Sequence, residues 1–210
     1  MGTPGRFISL EGGEGGGKST LIAGLRGALE ARGLEVIVTR EPGGTPLSEQ
    51  VRALALTPPE GETWSPLAHA LLMNTAREDH LRKLIRPALA SGKWVLCDRF
   101  ADSTLVYQAI DGGDLGSLRQ IQDIVVGDTQ PDLTFILDAA PEDLLERREK
   151  RAVSDVFEAK DLSFHQKVRE GFKAIAEEAP ERCVLIDALM DPEQVLEAAL
   201  QAIDARLEAT

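Results

Sequence analysis

Short apolar runs alternate along this chain with longer stretches of helical period, the pattern of a parallel sheet covered by helices on both faces. Runs at residues 7–10, 35–39, 94–97, 133–138 and 183–187 predict five strands. Between the first two, residues 18–32 place Leu21, Ile22, Leu25, Ala28 and Leu29 on one helical face, and Gly33 is positioned to stop that helix. Residues 67–90 form a second periodic stretch, entered after Ser65 and Pro66 and left at Ser91 and Gly92, whose polar residues can project into a cleft. Helices are also predicted at 115–126, 141–150, 163–179 and 192–207, the last two amphipathic. Residues 147–160 break the pattern: Arg147, Arg148, Glu149, Lys150, Arg151, Asp155, Glu158 and Lys160 crowd a span with few apolar anchors, which reads as exposed. With no internal repeat, low-complexity tract or linker, residues 1–210 are expected to form a single domain.

Composition narrows the function classes. The 210 residues are 43% hydrophobic and 28% charged, enough for a sizeable core, and carry a formal net charge of -12. That excess of acid argues against coating nucleic acid or an anionic membrane, which needs surplus Lys and Arg, so any anion must be bound locally. No apolar run approaches the length of a membrane span, and residues 1–6 lack the charged and apolar regions of a signal peptide, so a cytoplasmic location is expected. Cys97 and Cys183 sit inside apolar strands, where inert thiols are common. His69, His80 and His165 lie far apart and lack metal-ligand spacing, which suits helix-surface or core roles.

The strongest motif is Gly12-Gly13-Glu14-Gly15-Gly16-Gly17-Lys18-Ser19, a Walker A pattern placed after a strand and before a helix. Glycines let phosphate oxygens approach the backbone and let successive N–H groups turn inward, while the first turn of the helix adds unpaired donors. Lys18 supplies a full charge to the β- and γ-phosphates of ATP, and the Ser19 hydroxyl can ligate the accompanying Mg2+. A P-loop alone does not separate kinases from GTPases or other ATPases. The chain has no Asn-Lys-x-Asp segment of the kind that reads guanine.

At the end of the third strand stands Asp98-Arg99-Phe100. Asp98 could hold Mg2+ through water, and Arg99 offers a planar pair of donors to a phosphate. Arg40 and Glu41 end the second strand at the same sheet edge, where ligands of open α/β sheets bind.

These segments together resemble the thymidylate kinase family: the P-loop, Arg40-Glu41-Pro42-Gly43-Gly44-Thr45, Asp98-Arg99, Ser103-Thr104, Tyr107-Gln108, the strand ending at Asp138 with Pro141-Glu142, and the charged stretch beyond. The resemblance implies a five-stranded parallel α/β sheet of the P-loop nucleoside monophosphate kinase type with a short lid at about 147–160, and a homodimer. It implies transfer of the γ-phosphoryl group from Mg-ATP to the 5'-phosphate of dTMP, a step towards dTTP. It assigns Glu14 to the 3'-hydroxyl of the acceptor sugar, Arg99 to the acceptor phosphate, Arg77 to the thymine ring and Thr104 to the base edge. Tyr107 would lie under the sugar, favouring deoxyribose, with Arg40 and Gln108 completing the acceptor site. Adenine would lie near residues 187–191.

The chain departs from the family pattern twice. Met73 stands where many members stack a phenylalanine on thymine, and a thioether covers a ring less rigidly. The variable P-loop positions, Gly13, Glu14, Gly15 and Gly16, carry no basic residue, and Val156 stands where an arginine usually follows the lid Asp. The charge on the group in flight is therefore expected from Lys18, Arg99 and a lid arginine, Arg151 or Arg147. The alternatives are another P-loop deoxynucleoside or nucleoside monophosphate kinase, and a nucleotide-gated regulatory protein with no small acceptor.

Overall fold

In the computed structural model, which describes residues 5–144 and 161–207, the five expected strands are β1 (Phe7–Gly12), β2 (Val36–Arg40), β3 (Trp94–Asp98), β4 (Leu133–Asp138) and β5 (Cys183–Asp187). All neighbours pair parallel in the order β2-β3-β1-β4-β5. Apolar residues fill both sheet faces, as a parallel sheet covered on both sides requires. Ile8, Leu10, Leu96, Phe135 and Leu137 face one core with α1 (Lys18–Ala31) and the C-terminal helix. Phe7, Val95 and Cys97, and separately Ile136 and Cys183, face cores on the other side.

Helix α1 ends as the sequence indicates. Gly33 adopts φ 82°, its N–H bonds the carbonyl of Glu30 at 2.9 Å, and the N–H of Leu34 reaches that of Leu29 at 3.2 Å. These two bonds satisfy the last carbonyls of the helix in a Schellman closure.

The structure adds two helices to those expected from the sequence. α2 (Pro46–Leu56) starts with Thr45 as its cap and Pro46 in its first turn, and fully buries only Ser48 and Ala55, its Leu47 and Leu54 remaining exposed. The stretch predicted as one helix divides into α3 (Pro66–His80), a π turn (Leu81–Ile85) and α4 (Arg86–Ala90). Pro87 lacks the N–H that would bond the carbonyl of Lys83, and the ladder widens so that Arg86 bonds Leu81. α5 (Ala101–Ile110) is buried nearly all round, so no polar face marks it. α6 (Leu115–Val126), α7 (Leu162–Glu178) and α8 (Pro192–Arg206) appear where the period places them. The helix predicted over 141–150 is a 3-10 turn at Pro141–Leu144, beyond which lie undescribed residues. Cys97 and Cys183 are free and buried, and the three histidines are buried as well.

Candidate functional site

The register brings three strand ends to one place. Asp98 pairs with Leu10 of β1 on one side and with Arg40 of β2 on the other, so the residues leaving β1, β2 and β3 share an edge. The direction of strand addition also reverses at β1, the switch point where open α/β sheets form their crevice.

From β1 the chain enters the glycine loop. Gly12 has φ 119°, and a Cβ there would lie 2.4 Å from the carbonyl oxygen of Leu137, so no side chain fits. Gly17 caps α1 in the left-handed region at φ 89°. Lys18 folds back over the loop, its Nζ donating to the carbonyls of Gly12 and Gly13 at 3.1 and 3.0 Å. Burial lowers the pKa of this ammonium, and the Arg99 cation adds to the effect. Ser19 is exposed at the start of α1.

β3 delivers Asp98 and Arg99. Oδ1 of Asp98 is buried and has no hydrogen-bond partner among the described residues. Arg99 takes the left-handed conformation at φ 67°, held by its own N–H on Leu10 and by the Cys97 thiol on its carbonyl. Its guanidinium donates through Nη1 to the carbonyl of Gly12 and to Ser103 Oγ, at 3.1 and 3.2 Å, and through Nη2 to Glu14. It also lies 5.3 Å from the centre of the Tyr107 ring, and the Tyr107 hydroxyl stands 3.4 Å from Glu14. Burial opposes the charge on Arg99, but Glu14, Tyr107, Asp98 and Glu11 outweigh it and hold the pKa above its ordinary value.

Arg77 comes from α3 and is buried. Its Nε donates to Glu41 Oε2 at 2.7 Å, Nη1 to Asn74 at 2.8 Å, and Nη2 to Thr104 Oγ1 and the carbonyl of Phe100 at 2.9 and 3.2 Å. One cavity is lined by Glu14, Arg40, Met73, Arg77, Arg99, Thr104, Tyr107 and Gln108, together with residues 15–19 and Asp98. Every acceptor-side residue expected from the sequence thus reaches the same space as the phosphate loop. Arg40 stands at the exposed rim, paired with Glu49 at 3.0 Å. Arg147 and Arg151, expected to supply charge, lie outside the described residues.

A second cleft also borders the P-loop, bounded by residues 15–17, Thr20, Ala188, Met190 and Val195. It lies beside the segment after β5 where adenine is expected.

Sequence reasoning passed over Glu11. Its Oε1 accepts from the N–H of Phe100 at 2.7 Å and its Oε2 from Ser103 Oγ at 2.6 Å, so one carboxylate pins the turn that carries Arg99. Burial pushes its pKa up to about 7, with Asp102 adding, against the pull of Arg99, Ser103 and the Phe100 amide. The available signal was an acid inside an otherwise apolar strand. Arg52, another cavity residue, donates to the carbonyl of Pro42 at 2.7 Å and had no signal of its own.

Comparison with known proteins gives a consistent answer. A family model described as thymidylate kinase matches residues 10–199. The chain is 48% identical to the thymidylate kinase of Caulobacter vibrioides over 206 residues, covering 98% of this chain and 99% of that one. It is 47% identical to that of Magnetococcus marinus over 204 residues, covering 96% and 97%. The solved structure of thymidylate kinase from Ehrlichia chaffeensis superposes with a TM-score of 0.74 at 33% identity, covering 95% of this chain and 99% of that one.

Proposed function

The chain belongs to the thymidylate kinase family, and from that premise we propose how its residues divide the work of moving the terminal phosphoryl group of ATP onto dTMP. It is an ATP-dependent nucleoside monophosphate kinase that forms dTDP. The bond formed joins an oxygen of the acceptor 5'-phosphate to the γ-phosphorus, and the bond broken joins that phosphorus to the β–γ bridging oxygen, leaving ADP. The attacking oxygen is already anionic at neutral pH and needs no general base. The obstacle is to align two groups that repel each other and to stabilise the charge in flight.

In this proposal the loop amides and Lys18 bind the β- and γ-phosphates, Lys18 exchanging its carbonyl partners for phosphate oxygens. Arg99 exchanges Glu14 for the acceptor phosphate. Glu14, thus released, accepts from the 3'-hydroxyl of the sugar, and Tyr107 lies beneath that sugar. Arg77 and Thr104 meet the base edge, Met73 covers the ring, and Arg40 and Gln108 close the rim. Arg147 and Arg151 are assigned the remaining positive charge. The observation that carries the proposal is the Glu14–Arg99–Tyr107 cluster and the Walker lysine sharing one cavity.

The buried, unpartnered oxygen of Asp98 and the exposed Ser19 hydroxyl fit Mg2+, Asp98 through water. When bound with ATP, the ion would neutralise phosphate charge. A cytoplasmic homodimer completes the proposal. Supporting the dimer, α2 and α6 both pack against α3, and these helices expose Leu47, Leu54, Leu67, Leu71, Leu115 and Ile124.

The test is ADP formation from Mg-ATP with dTMP, dUMP, dCMP, dGMP or thymidine supplied singly. Turnover highest with dTMP, and lost in Arg99→Ala through a raised KM for dTMP, is the expected result. Loss through the KM for ATP alone would overturn the assignment of Arg99. Arg147→Ala and Arg151→Ala then identify the third cation by a fall in kcat, on the order of a thousandfold.

A further inference from the structure

A buried chain of hydrogen bonds begins outside the acceptor cavity and ends at its wall. Thr39 on β2 meets His80, the last residue of α3, with Oγ1 2.7 Å from Nε2. Nδ1 of His80 lies 3.0 Å from Oε1 of Glu41, and Glu41 Oε2 accepts from Nε of Arg77 at 2.7 Å. His80 is 0% exposed, Glu41 4% and Arg77 2%, so no water competes for these bonds. The site is built for the contact: a Cβ on Gly44 would lie 2.4 Å from His80 Nε2 and 2.6 Å from Thr39 Oγ1.

The chemistry fixes the polarity. An ionised carboxylate only accepts, so His80 carries its hydrogen on Nδ1, and in the neutral ring Nε2 accepts from the Thr39 hydroxyl. Both oxygens of Glu41 are thereby engaged. Four of the five N–H groups of Arg77 are used by Glu41, Asn74, Phe100 and Thr104, leaving one on Nη1. Thr104 accepts from Arg77, so its own hydrogen is left to donate. Arg77 and Thr104, both lining the cavity, therefore keep hydrogens available to a ligand there.

We propose that Thr39, His80 and Glu41 are positioning residues for base selection, holding Arg77 so that a pyrimidine with a carbonyl at C4 is accepted and one with an amino group there is refused. The inference rests on the assignment of Arg77 and Thr104 to the base. An amino group would face donors that burial leaves unpaired, and unpaired buried donors discriminate more strongly than lost apolar contact. Without the chain, the guanidinium can turn, and its geometry no longer separates the two bases.

The experiment compares kcat/KM for dTMP with that for dCMP in wild type, Glu41→Gln, His80→Phe, His80→Asn and Arg77→Gln. A ratio of two substrates is independent of the folded fraction, so partial misfolding does not disguise the outcome. The ratio is expected to fall about tenfold or more in Glu41→Gln and His80→Phe. The fall in His80→Phe should appear in the KM for dTMP, with the KM for ATP within about twofold. His80→Asn, whose amide can replace Nδ1–H, should recover most of the ratio. An unchanged ratio in Glu41→Gln and His80→Phe, alongside a collapsed one in Arg77→Gln, would overturn the role of the chain. An unchanged ratio in Arg77→Gln would overturn the base assignment beneath it.

Discussion

Arg99 shows how one residue is prepared for a charged ligand. A non-glycine residue at φ 67° sits in a sparsely populated region, at a cost of about 1–2 kcal/mol, and persists because its surroundings over-determine it. Glu11 is central to that, accepting from the Phe100 amide and the Ser103 hydroxyl beside it. Its pKa, raised from 4.5 to about 7, means the folded state holds this proton more tightly than the unfolded chain. Stability from this group is therefore full below about pH 4.5 and lost as pH climbs through 7, on the order of 3 kcal/mol. Urea unfolding at pH 5 and pH 7.5 should show a smaller difference in Glu11→Gln than in wild type; equal differences would refute the shift. Lys18→Ala should lower kcat about a thousandfold or more while leaving the thermal midpoint within a few degrees, as read by coupled assay and calorimetry.

At the scale of elements, α2 and α3 are joined by buried polar groups as well as by the apolar contact of Ala55 and Leu56 with the cluster of Ala70 and Met73. Thr45 Oγ1 accepts from the N–H of Ser48 at the start of α2 and donates to Asp79 of α3 at 2.5 Å, while Ser48 Oγ donates to the carbonyl of Ala76 at 2.8 Å. Lys83 and Arg82 close on the other Asp79 oxygen at 2.6 and 3.1 Å. Because this seam aligns α3, it also places Arg77. Thr45→Ala removes a cap and leaves a buried acceptor short of a donor, so it should destabilise by about 1–3 kcal/mol in urea titration. Thr45→Ser should restore most of that. Equal stability in all three proteins would show the seam to be incidental.

For the whole molecule, the net charge of -12 contrasts with the cations gathered at one edge of the sheet. Lys18, Arg40, Arg52, Arg77 and Arg99 line a single cavity, so an acidic protein can hold two polyanions without a basic surface. Exposed apolar residues, Ile124 at 83% among them, gather on α2, α3 and α6. Light scattering should give a mass near twice that of the chain, and Leu71→Glu on α3 should shift it towards the single-chain value. A wild-type mass equal to one chain would rule out the dimer.

The sequence by itself determined the strands, the phosphate loop and the helices with a clear apolar face, because these depend on local patterns: unbroken apolar runs, glycines before a helix, and one-sided burial. Gly12 to Ser19 and Asp98-Arg99 were legible for that reason. Helix α5 was not, since Tyr107, Thr104 and Gln108 are buried in a helix covered on nearly all sides and no polar face survives to reveal it. Met73, Arg77 and Tyr107 could be assigned to one site only through family likeness; nothing in their spacing joins them. Glu11, His80 and Thr39 carry no motif, and their roles exist only once β2, α3 and the Arg99 turn are folded against one another. Local chemistry writes itself into adjacent residues, whereas the pairing of buried polar groups 36 and 39 positions apart, Glu41 with Arg77 and with His80, is decided where strand and helix meet.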